Sequence, residues 1–332
     1  MNYYNYDKIC SYNAIWNFIL TNRGFGKSYG LKRKCIKNFL KKGEQFIYLR
    51  RWKTELKDND KWFDDIKKEF PNNKLEYKQG KFYIDGKIAG FPVALSVSQR
   101  YKSVAYPNVT TIMFDEFIVD KSVSMRYIPN EVDVALDFYE TVARTRNNVR
   151  MFFLANNITK VNPYFTYFNA KINENERFTL LRDGEMVIEY NTDDIFIEMK
   201  KQTKFGKLIR NTKYSDYAIE NKSLRDSNTF VEQMTLKHCD EYFSVEYKNK
   251  KYMIWGNVVK DILYITDKPT KTAKCFSVLA SDHNDNTFLN NKYIGNSCFN
   301  NLIRYFQFGK VRFKSIEIKI AMYEMLKDLG VK

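Results

Sequence analysis

A glycine turn joins an apolar segment to a basic amphipathic segment at residues 19–28, whose sequence is ILTNRGFGKS. In such a turn, backbone N–H groups surround phosphate oxygens, a lysine reaches the outer phosphates and a hydroxyl binds magnesium. Gly24, Gly26, Lys27 and Ser28 supply these parts. The segment therefore predicts a phosphate-binding loop between a buried strand and a helix. A glycine-rich strand-to-helix turn without a ligand is the alternative interpretation.

Thr21 breaks the strict phosphate-loop pattern G-x-x-x-x-G-K-[ST], which requires glycine at that position. A β-branched residue does not readily adopt the unusual dihedral angles that the first glycine permits. We expect Asn22 and Gly24 to adopt left-handed conformations in its place. Thr21 should then tune nucleotide affinity without removing the site.

A second motif, VTTIMFDE at residues 109–116, is an apolar segment that ends in two acids. The aspartate at the end of such a strand orders magnesium, and the following glutamate orients or deprotonates the attacking water. The alternative interpretation is a strand followed by a polar turn, because this residue pattern also arises by chance. Combined with the loop, however, Asp115 and Glu116 predict an NTPase that uses Mg²⁺.

Composition and charge limit the class of protein and its partners. The chain has 332 residues, 44% of them hydrophobic, which is enough for two domains. Its 55 basic and 39 acidic residues give a net charge of +16, which favours nucleic acid as a partner over a merely soluble basic surface. No segment approaches about 18 consecutive apolar residues, and the polar N-terminus lacks a signal-peptide layout. We therefore expect a cytosolic protein with no membrane partner.

Hydrophobic periodicity predicts an α/β fold, with a mostly parallel sheet in the first domain and a smaller α+β domain after it. Residues 200–228 are polar with few branched apolar residues and are the best linker candidate. The predicted domains are thus 1–199 and 229–332, joined by a linker at 200–228. Strands are expected at 14–20, 46–49, 109–114, 149–155, 177–181, 186–190, 242–247, 252–259 and 262–266, hairpins within 75–96, and helices at 27–42, 62–70, 131–144 and 315–329.

Polar and basic side chains follow several of these elements. The carboxyl ends of strands face the ligand crevice in open α/β sheets. The tip at residues 50–53 either contacts DNA or nucleotide or is a solvated loop. Asn156, at the end of another strand, either senses the γ-phosphate beside Asp115 or belongs to an Asn-Asn turn. Arg144, Arg146 and Arg150 are each a candidate arginine finger or a surface phosphate or ion-pair contact.

Several segments resemble the DNA-packaging ATPase, or encapsidation protein, of small tailed podophages of the Picovirinae type. The most specific is DEF at residues 115–117 followed by YIPNEV at 127–132. Further similarity lies at residues 19–29, 46–51, 105–117, 162–165 and 204–209 and in the closing helix. The resemblance covers nearly the whole chain.

This resemblance implies an ASCE-class motor subunit, related to large terminase subunits, that uses ATP to drive double-stranded DNA into a preformed prohead. It implies a ring homo-oligomer, a pentamer in this family, docked transiently at the portal vertex in the host cytoplasm, with or without a structural packaging RNA. The second domain would be a vestigial RNase H-like fold. Nuclease activity is not expected, since Asp240, Asp261, Asp267 and Asp282 show no convergence in the sequence.

The resemblance also assigns roles to individual residues. The nucleotide would lie on the loop at 23–28, magnesium between Ser28 and Asp115, and the attacking water beside Glu116, with Arg23 assisting catalysis at a position where large terminases also carry an arginine. Asn156 is a further catalytic candidate from its place at the strand end alone. Arg144 matches the family's trans-acting arginine finger. Lys102 and Lys121 match basic residues at the family's subunit interface, and Lys53 matches a DNA-contacting lysine. The sequence context alone adds Arg146 as a further interface or trans-acting candidate and Arg51 as a further DNA-binding candidate. The loop residues are Arg23, Gly24, Phe25, Gly26, Lys27 and Ser28.

Two other functions remain open. A cellular-type DNA translocase or helicase would use the same two motifs, although the YIPNEV segment argues against it. A nucleic-acid-binding scaffold regulated by nucleotide would use the imperfect loop to bind without hydrolysis. ATP turnover measured with and without double-stranded DNA separates these functions.

Overall fold

The computed structural model describes residues 4–119, 127–156, 162–168, 170, 172, 176–191, 194–212, 215, 230–268, 270, 273–290 and 296–331. Contacts between residues divide the chain into two compact units, Met1–Ser223 and Leu224–Lys332. Each unit has a sheet and a hydrophobic core of its own. The two are therefore described separately.

A mostly parallel sheet forms the centre of the first unit. Its strands, among the described residues, are β1 (Trp16–Thr21), β2 (Gln45–Arg50), β3 (Leu75–Lys78), β4 (Lys81–Ile84), β5 (Lys87–Ala94), β6 (Val109–Asp115), β7 (Arg150–Asn156), β8 (Phe178–Leu181) and β9 (Met186–Asn191). They lie in the order β3-β4-β5-β2-β6-β7-β1-β9-β8. The six from β5 to β9 in this order run parallel, whereas β3, β4 and β8 add antiparallel strands at the edges. The predicted α/β class is confirmed.

Apolar side chains cover both faces of this sheet. Successive residues of a strand point to opposite faces, so Phe18 and Ile19 of β1 belong to two different cores. Phe138 packs into the first core and Ile36 into the second. Burial on both faces explains why all six residues of β1 are buried and why four of them, Trp16, Phe18, Ile19 and Leu20, are large and apolar.

The helices of the first unit are α1 (Asp7–Ser11), α2 (Lys27–Lys42), α3 (Glu131–Ala143), α4 (Pro163–Tyr167), α5 (Asp194–Gln202) and α6 (Lys204–Leu208). As predicted, α2 ends at Lys42, and Gly43, with a φ of 70°, caps the helix in the left-handed conformation. The helix predicted at 62–70 is wrong. A turn and the short 3₁₀ segment Lys67–Glu69 occupy that stretch, because Trp62 stacks on Phe46 and packs against Phe82.

Part of the predicted linker is helical. Helix α5 extends to Gln202 and α6 follows at Lys204–Leu208, both within the first unit. Residues 213–214 and 216–229 lie outside the described ranges. The predicted limits of the domains and the linker remain predictions. Across the described ranges, no helix is long and apolar enough to cross a membrane.

A mixed sheet forms the second unit, and two helices accompany it. Its described elements are β10 (Cys239–Tyr247), β11 (Lys250–Asn257), β12 (Ile262–Thr266), β13 (Cys275–Ser277), β14 (Phe288–Leu289), α7 (Ser297–Gln307), β15 (Val311–Phe313) and α8 (Ile316–Asp328). The order is β14-β13-β10-β11-β12-β15, with an antiparallel meander of β10, β11 and β12 at the centre. Phe243, Phe299 and Met322 pack in one core. This is the smaller α+β domain that the sequence predicts, and its RNase H-like character stays a prediction.

Candidate active site

The glycine turn lies between the carboxyl end of β1 and the first turn of α2. Gly24 and Gly26 have φ values of 86° and 82°, so the two left-handed positions of the loop are occupied by glycine. Thr21 is the last residue of β1 and pairs in register with Asn156. It therefore keeps an extended conformation, and the absence of glycine there does not strain the loop. The expectation for Gly24 holds, but Asn22 is absent from the residues with positive φ.

Lys27 brings a buried ammonium to the loop. Its Nζ lies within hydrogen-bond distance of Thr21 Oγ1 at 3.2 Å, the Asn22 carbonyl oxygen at 3.2 Å, Asn156 Oδ1 at 3.3 Å and the Thr21 carbonyl oxygen at 3.4 Å. All four acceptors are uncharged. Burial lowers the pKa of Lys27 to about 8, and the charge of Asp115 opposes that shift. An anion in the loop would be a stronger partner for this ammonium than the neutral oxygens are.

Ser28 and Asp115 meet beside the loop, although 87 positions separate them in the chain. Ser28 Oγ donates to Asp115 Oδ1 at 3.0 Å. Burial raises the pKa of Asp115, and the Arg50 guanidinium opposes this shift. A hydroxyl and a carboxylate oxygen are ligands that Mg²⁺ accepts. The polar atoms of the Asn22 side chain are also buried without a hydrogen-bond partner among the described residues. The donor set and these unpaired atoms fit a magnesium-bound phosphate group.

Glu116 follows Asp115 in a left-handed turn, with a φ of 58°. This conformation is costly for a residue other than glycine and is often retained at functional sites. Arg50 Nη2, at the end of β2, donates to Glu116 Oε2 and to Glu55 Oε1, at 2.7 Å in both cases. Arg50 thus fixes the exposed carboxylate of Glu116. Sequence reasoning missed this role because it treated residues 50–53 only as a basic tip.

Arg51 does not contact DNA from an exposed position, which corrects the prediction. Its side chain is 2% exposed and forms a bidentate ion pair with Glu131, with Nε–Oε2 at 2.7 Å and Nη2–Oε1 at 2.9 Å. It also donates to the carbonyl oxygens of Glu116 and Phe117. Arg51 therefore anchors the turn that carries Glu116. Lys53 is exposed at the start of a 3₁₀ turn, and its contact with DNA stays a prediction.

Arg144 is exposed at the end of α3, with φ 50° and ψ −116°. Its side chain has no hydrogen bond or ion pair with the other residues that the structure describes. It lines a cavity of about 450 Å³ together with Lys102, whose Nζ lies 2.7 Å from Asp137 Oδ2. The other lining residues are Glu140, Thr141 and Thr145. Arg144 and Lys102 are thus brought together, whereas Lys121 lies outside the described residues.

Arg146 is not available as a trans-acting or interface group, which is a second correction. Its guanidinium donates to four backbone carbonyl oxygens, those of Pro107, Val109, Tyr106 and Val142. Arg146 therefore joins the end of α3 to the turn before β6. Arg150 donates to the Cys10 carbonyl oxygen and to Asn13 Oδ1, so it is also occupied within the subunit.

Arg23 and Lys200 complete the surroundings of the loop. The Arg23 side chain is exposed, and its carbonyl oxygen accepts a hydrogen bond from Lys200 Nζ of α5. Sequence reasoning missed Lys200 because it placed this residue at the start of a linker. No spacing rule connects Lys200 to a loop 177 positions earlier.

Replacing Glu131 with glutamine should destabilise the first unit by about 3–5 kcal/mol, because it leaves the buried guanidinium of Arg51 unpaired. Urea unfolding measures this loss. Glu140→Gln removes an exposed carboxylate from the same helix and should change the unfolding midpoint little. Equal stability of the Glu131→Gln and Glu140→Gln variants would contradict the anchoring role of the Arg51–Glu131 pair.

Comparison with known proteins identifies relatives along the whole chain. A family model described as the Podovirus DNA encapsidation protein (Gp16) matches residues 1–331. The DNA packaging protein of Bacillus phage B103 is 40% identical over 323 residues, which are 97% of this chain and 99% of that protein. The DNA packaging protein of Bacillus phage phi29 is 39% identical over 331 residues, 99% of this chain and 98% of that protein.

Solved structures give the same result. A chain of the bacteriophage phi29 viral genome packaging motor assembly matches with a TM-score of 0.81 and 38% identity over 98% of this chain and 99% of that one. The N-terminal domain of the DNA packaging ATPase from bacteriophage phi29 matches with a TM-score of 0.54 and 48% identity over 57% of this chain and 96% of that one. Since the family model and these relatives span nearly every residue, the chain belongs to the podovirus DNA encapsidation protein (Gp16) family.

Proposed function

We propose that this protein is the ATP-hydrolysing subunit of a motor that moves double-stranded DNA into a preformed prohead. One observation carries the proposal: the Ser28 hydroxyl lies 3.0 Å from the Asp115 carboxylate. This contact joins the phosphate-loop motif to the strand that ends in Asp-Glu. The relatives are DNA packaging proteins, and this family relationship supports DNA packaging as the process that hydrolysis drives.

Each residue of the site has a role that its contacts support. Residues 23–28 bind the phosphates, with Lys27 exchanging its neutral acceptors for phosphate oxygens. Ser28 and Asp115 would hold Mg²⁺, which when bound neutralises phosphate charge. Glu116 accepts a proton from the attacking water, and Asn156 orients Lys27 through its side-chain oxygen.

Arg144 acts on the site of a neighbouring subunit. Its exposed guanidinium has no partner among the described residues, and Lys102 lines the same cavity. An arginine in this position can donate two hydrogen bonds to charge that develops on the transferring phosphoryl group. Hydrolysis would therefore require a closed ring, and by family resemblance we propose a pentamer.

The partners that we propose are double-stranded DNA, the portal of the prohead and further copies of the chain. The net charge of +16 supports a polyanionic partner, and the matched phi29 chain is part of a genome packaging motor assembly. Docking at the portal vertex would be transient and would take place in the host cytoplasm. Direct binding measurements would test for a structural packaging RNA between the motor and the portal.

The second unit would bind nucleic acid or the portal without cleaving DNA. Its acids are engaged separately: Asp261 with Tyr305 and Lys310, Asp267 with Lys314, and Asp282 with two backbone N–H groups. Over the described ranges, no three His, Cys, Asp or Glu side chains converge as metal ligands. A two-metal nuclease needs such a cluster.

DNA affinity should fall steeply with salt, because phosphate contacts release counterions. Replacing Lys53 with alanine is expected to reduce the slope of log affinity against log salt by about one unit, without a preference for sequence. Lys61→Ala is the matched control, because Lys61 is also exposed but pairs with Asp58. A flat salt response of the unmodified protein would contradict a DNA-gripping motor.

ATP turnover with and without double-stranded DNA tests the proposed function directly. A packaging motor should hydrolyse ATP and should respond to DNA. Binding of ATP without turnover in either condition would instead support the nucleotide-regulated scaffold. Turnover that drives strand separation would support a helicase.

A further inference from the structure

Helix α5 presents two side chains to the phosphate loop, one helical turn apart. Residues at positions i and i+4 share a helix face, and Phe196 and Lys200 have this spacing. The Phe196 ring meets Phe25 edge-on, with 5.4 Å between the ring centroids. A Cβ built on Gly24 would lie 3.8 Å from Phe196 Cζ and 3.7 Å from Lys200 Nζ. The face of α5 therefore lies in direct contact with the loop.

Lys200 places a third positive charge at this loop. Its ammonium donates to the Arg23 carbonyl oxygen and lies 5.1 Å from the centroid of the Phe196 ring. None of the described acidic side chains forms an ion pair with Lys200. Burial and the charge of Arg23 lower the pKa of Lys200, and the charge of Lys200 in turn lowers that of Lys27. Three cations thus repel one another around the loop, which an anion between them would relieve.

A rigid corner joins Lys200 to α6. Thr203 Oγ1 accepts from the Gly206 N–H at 2.9 Å and donates to the Lys200 carbonyl oxygen at 2.7 Å. A Cβ at Gly206 would lie 2.1 Å from that same carbonyl oxygen, so only glycine permits this close approach. A displacement of the Lys200 backbone would therefore carry α6 with it.

We propose that Lys200 is a second phosphate-binding lysine of the nucleotide site and that it couples occupancy of the loop to the α5–α6 corner. The Lys200 ammonium donates to the Arg23 carbonyl oxygen. A nucleoside triphosphate offers charged oxygens in place of that neutral one, and charge-assisted hydrogen bonds are the stronger. The inference rests on the proposed function of the loop as a nucleotide site.

The test compares Lys200→Gln, Lys200→Arg and the control Lys204→Gln, which removes an exposed lysine from α6. A fluorescent, non-hydrolysable ATP analogue is titrated into each variant in the presence of Mg²⁺. We expect Lys200→Gln to weaken binding by roughly 10- to 100-fold, the range of a lost charged hydrogen bond. Lys200→Arg should recover most of the affinity, and Lys204→Gln should bind as the unmodified protein does.

Amide hydrogen exchange distinguishes a role of Lys200 in nucleotide binding from a purely structural role. Amide exchange in residues 203–212 should slow on addition of the analogue in the unmodified protein and should not respond in Lys200→Gln. Equal analogue affinity of Lys200→Gln and Lys204→Gln would overturn the proposal, even if the unfolding midpoint of the former is lower. If the unmodified protein also fails to bind the analogue, the proposed nucleotide site itself is wrong.

Discussion

A Glu116→Gln subunit is expected to bind ATP and to lose at least about 10²- to 10⁴-fold in turnover, the usual contribution of a positioned general base. The substitution keeps the shape of the side chain and its hydrogen bond with Arg50, but it removes the site that accepts the proton of water. Since Lys27, Ser28 and Asp115 are unchanged, nucleotide affinity should be nearly preserved. The expected defect is therefore in kcat and not in KM.

Phosphate release at saturating ATP measures this loss, with analogue binding measured in parallel. Glu76→Gln is a suitable control, since Glu76 lies on the β3 edge strand and pairs with Lys74 at the surface. Lys27→Ala should differ from Glu116→Gln by losing affinity as well as turnover. Ordinary turnover in both site variants would remove the assignment of the active site to residues 22–28 and 115–116.

Replacing Arg144 with alanine is expected to reduce turnover of the assembled ring by about 10³- to 10⁵-fold, the range known for arginine fingers. Arg144 is exposed and lacks a partner among the described residues, so its removal should leave the fold of the subunit intact. The unfolding midpoint of the variant should therefore match that of the unmodified protein.

Mixed rings test whether Arg144 acts on a neighbouring subunit. Arg144→Ala subunits keep an intact site, and Glu116→Gln subunits keep an intact arginine, so mixing the two inactive variants should restore part of the turnover. Arg146→Ala is the matched comparison. Its four hydrogen bonds to backbone carbonyls predict a loss of stability that mixing does not repair. Absence of rescue at every mixing ratio would argue for a role of Arg144 within its own subunit.

The sequence predicts the parts of this protein that depend on local pattern. The strand, glycine turn and helix at residues 16–42 follow from apolar runs and from the dihedral freedom of Gly24 and Gly26. The proximity of Asp115 to Ser28 could be predicted from the sequence, because the carboxyl ends of parallel strands, and the loops that follow them, meet at one edge of a sheet. The family resemblance, carried by residues 115–132, agrees with the full-length match to the encapsidation proteins.

Roles set by tertiary contacts could not be predicted. Arg51 and Arg146 have the sequence context of exposed basic residues, yet a buried glutamate and four carbonyl oxygens engage them. Both partnerships join segments that are distant in the chain, and a single sequence gives no spacing for them. The wrong helix at residues 62–70 has the same cause, because aromatic packing of Trp62 outweighs a short helical pattern.

Protection of DNA from nuclease inside proheads is the most direct test of the account. Purified protein, proheads of the same phage, genomic DNA and ATP are mixed, and the length of DNA that survives nuclease treatment is measured. We predict genome-length protected DNA with the unmodified protein and none with Glu116→Gln subunits or without ATP. Equal protection by Glu116→Gln subunits, or protection that does not depend on ATP, would contradict the assignment of this chain as an ATP-driven packaging motor.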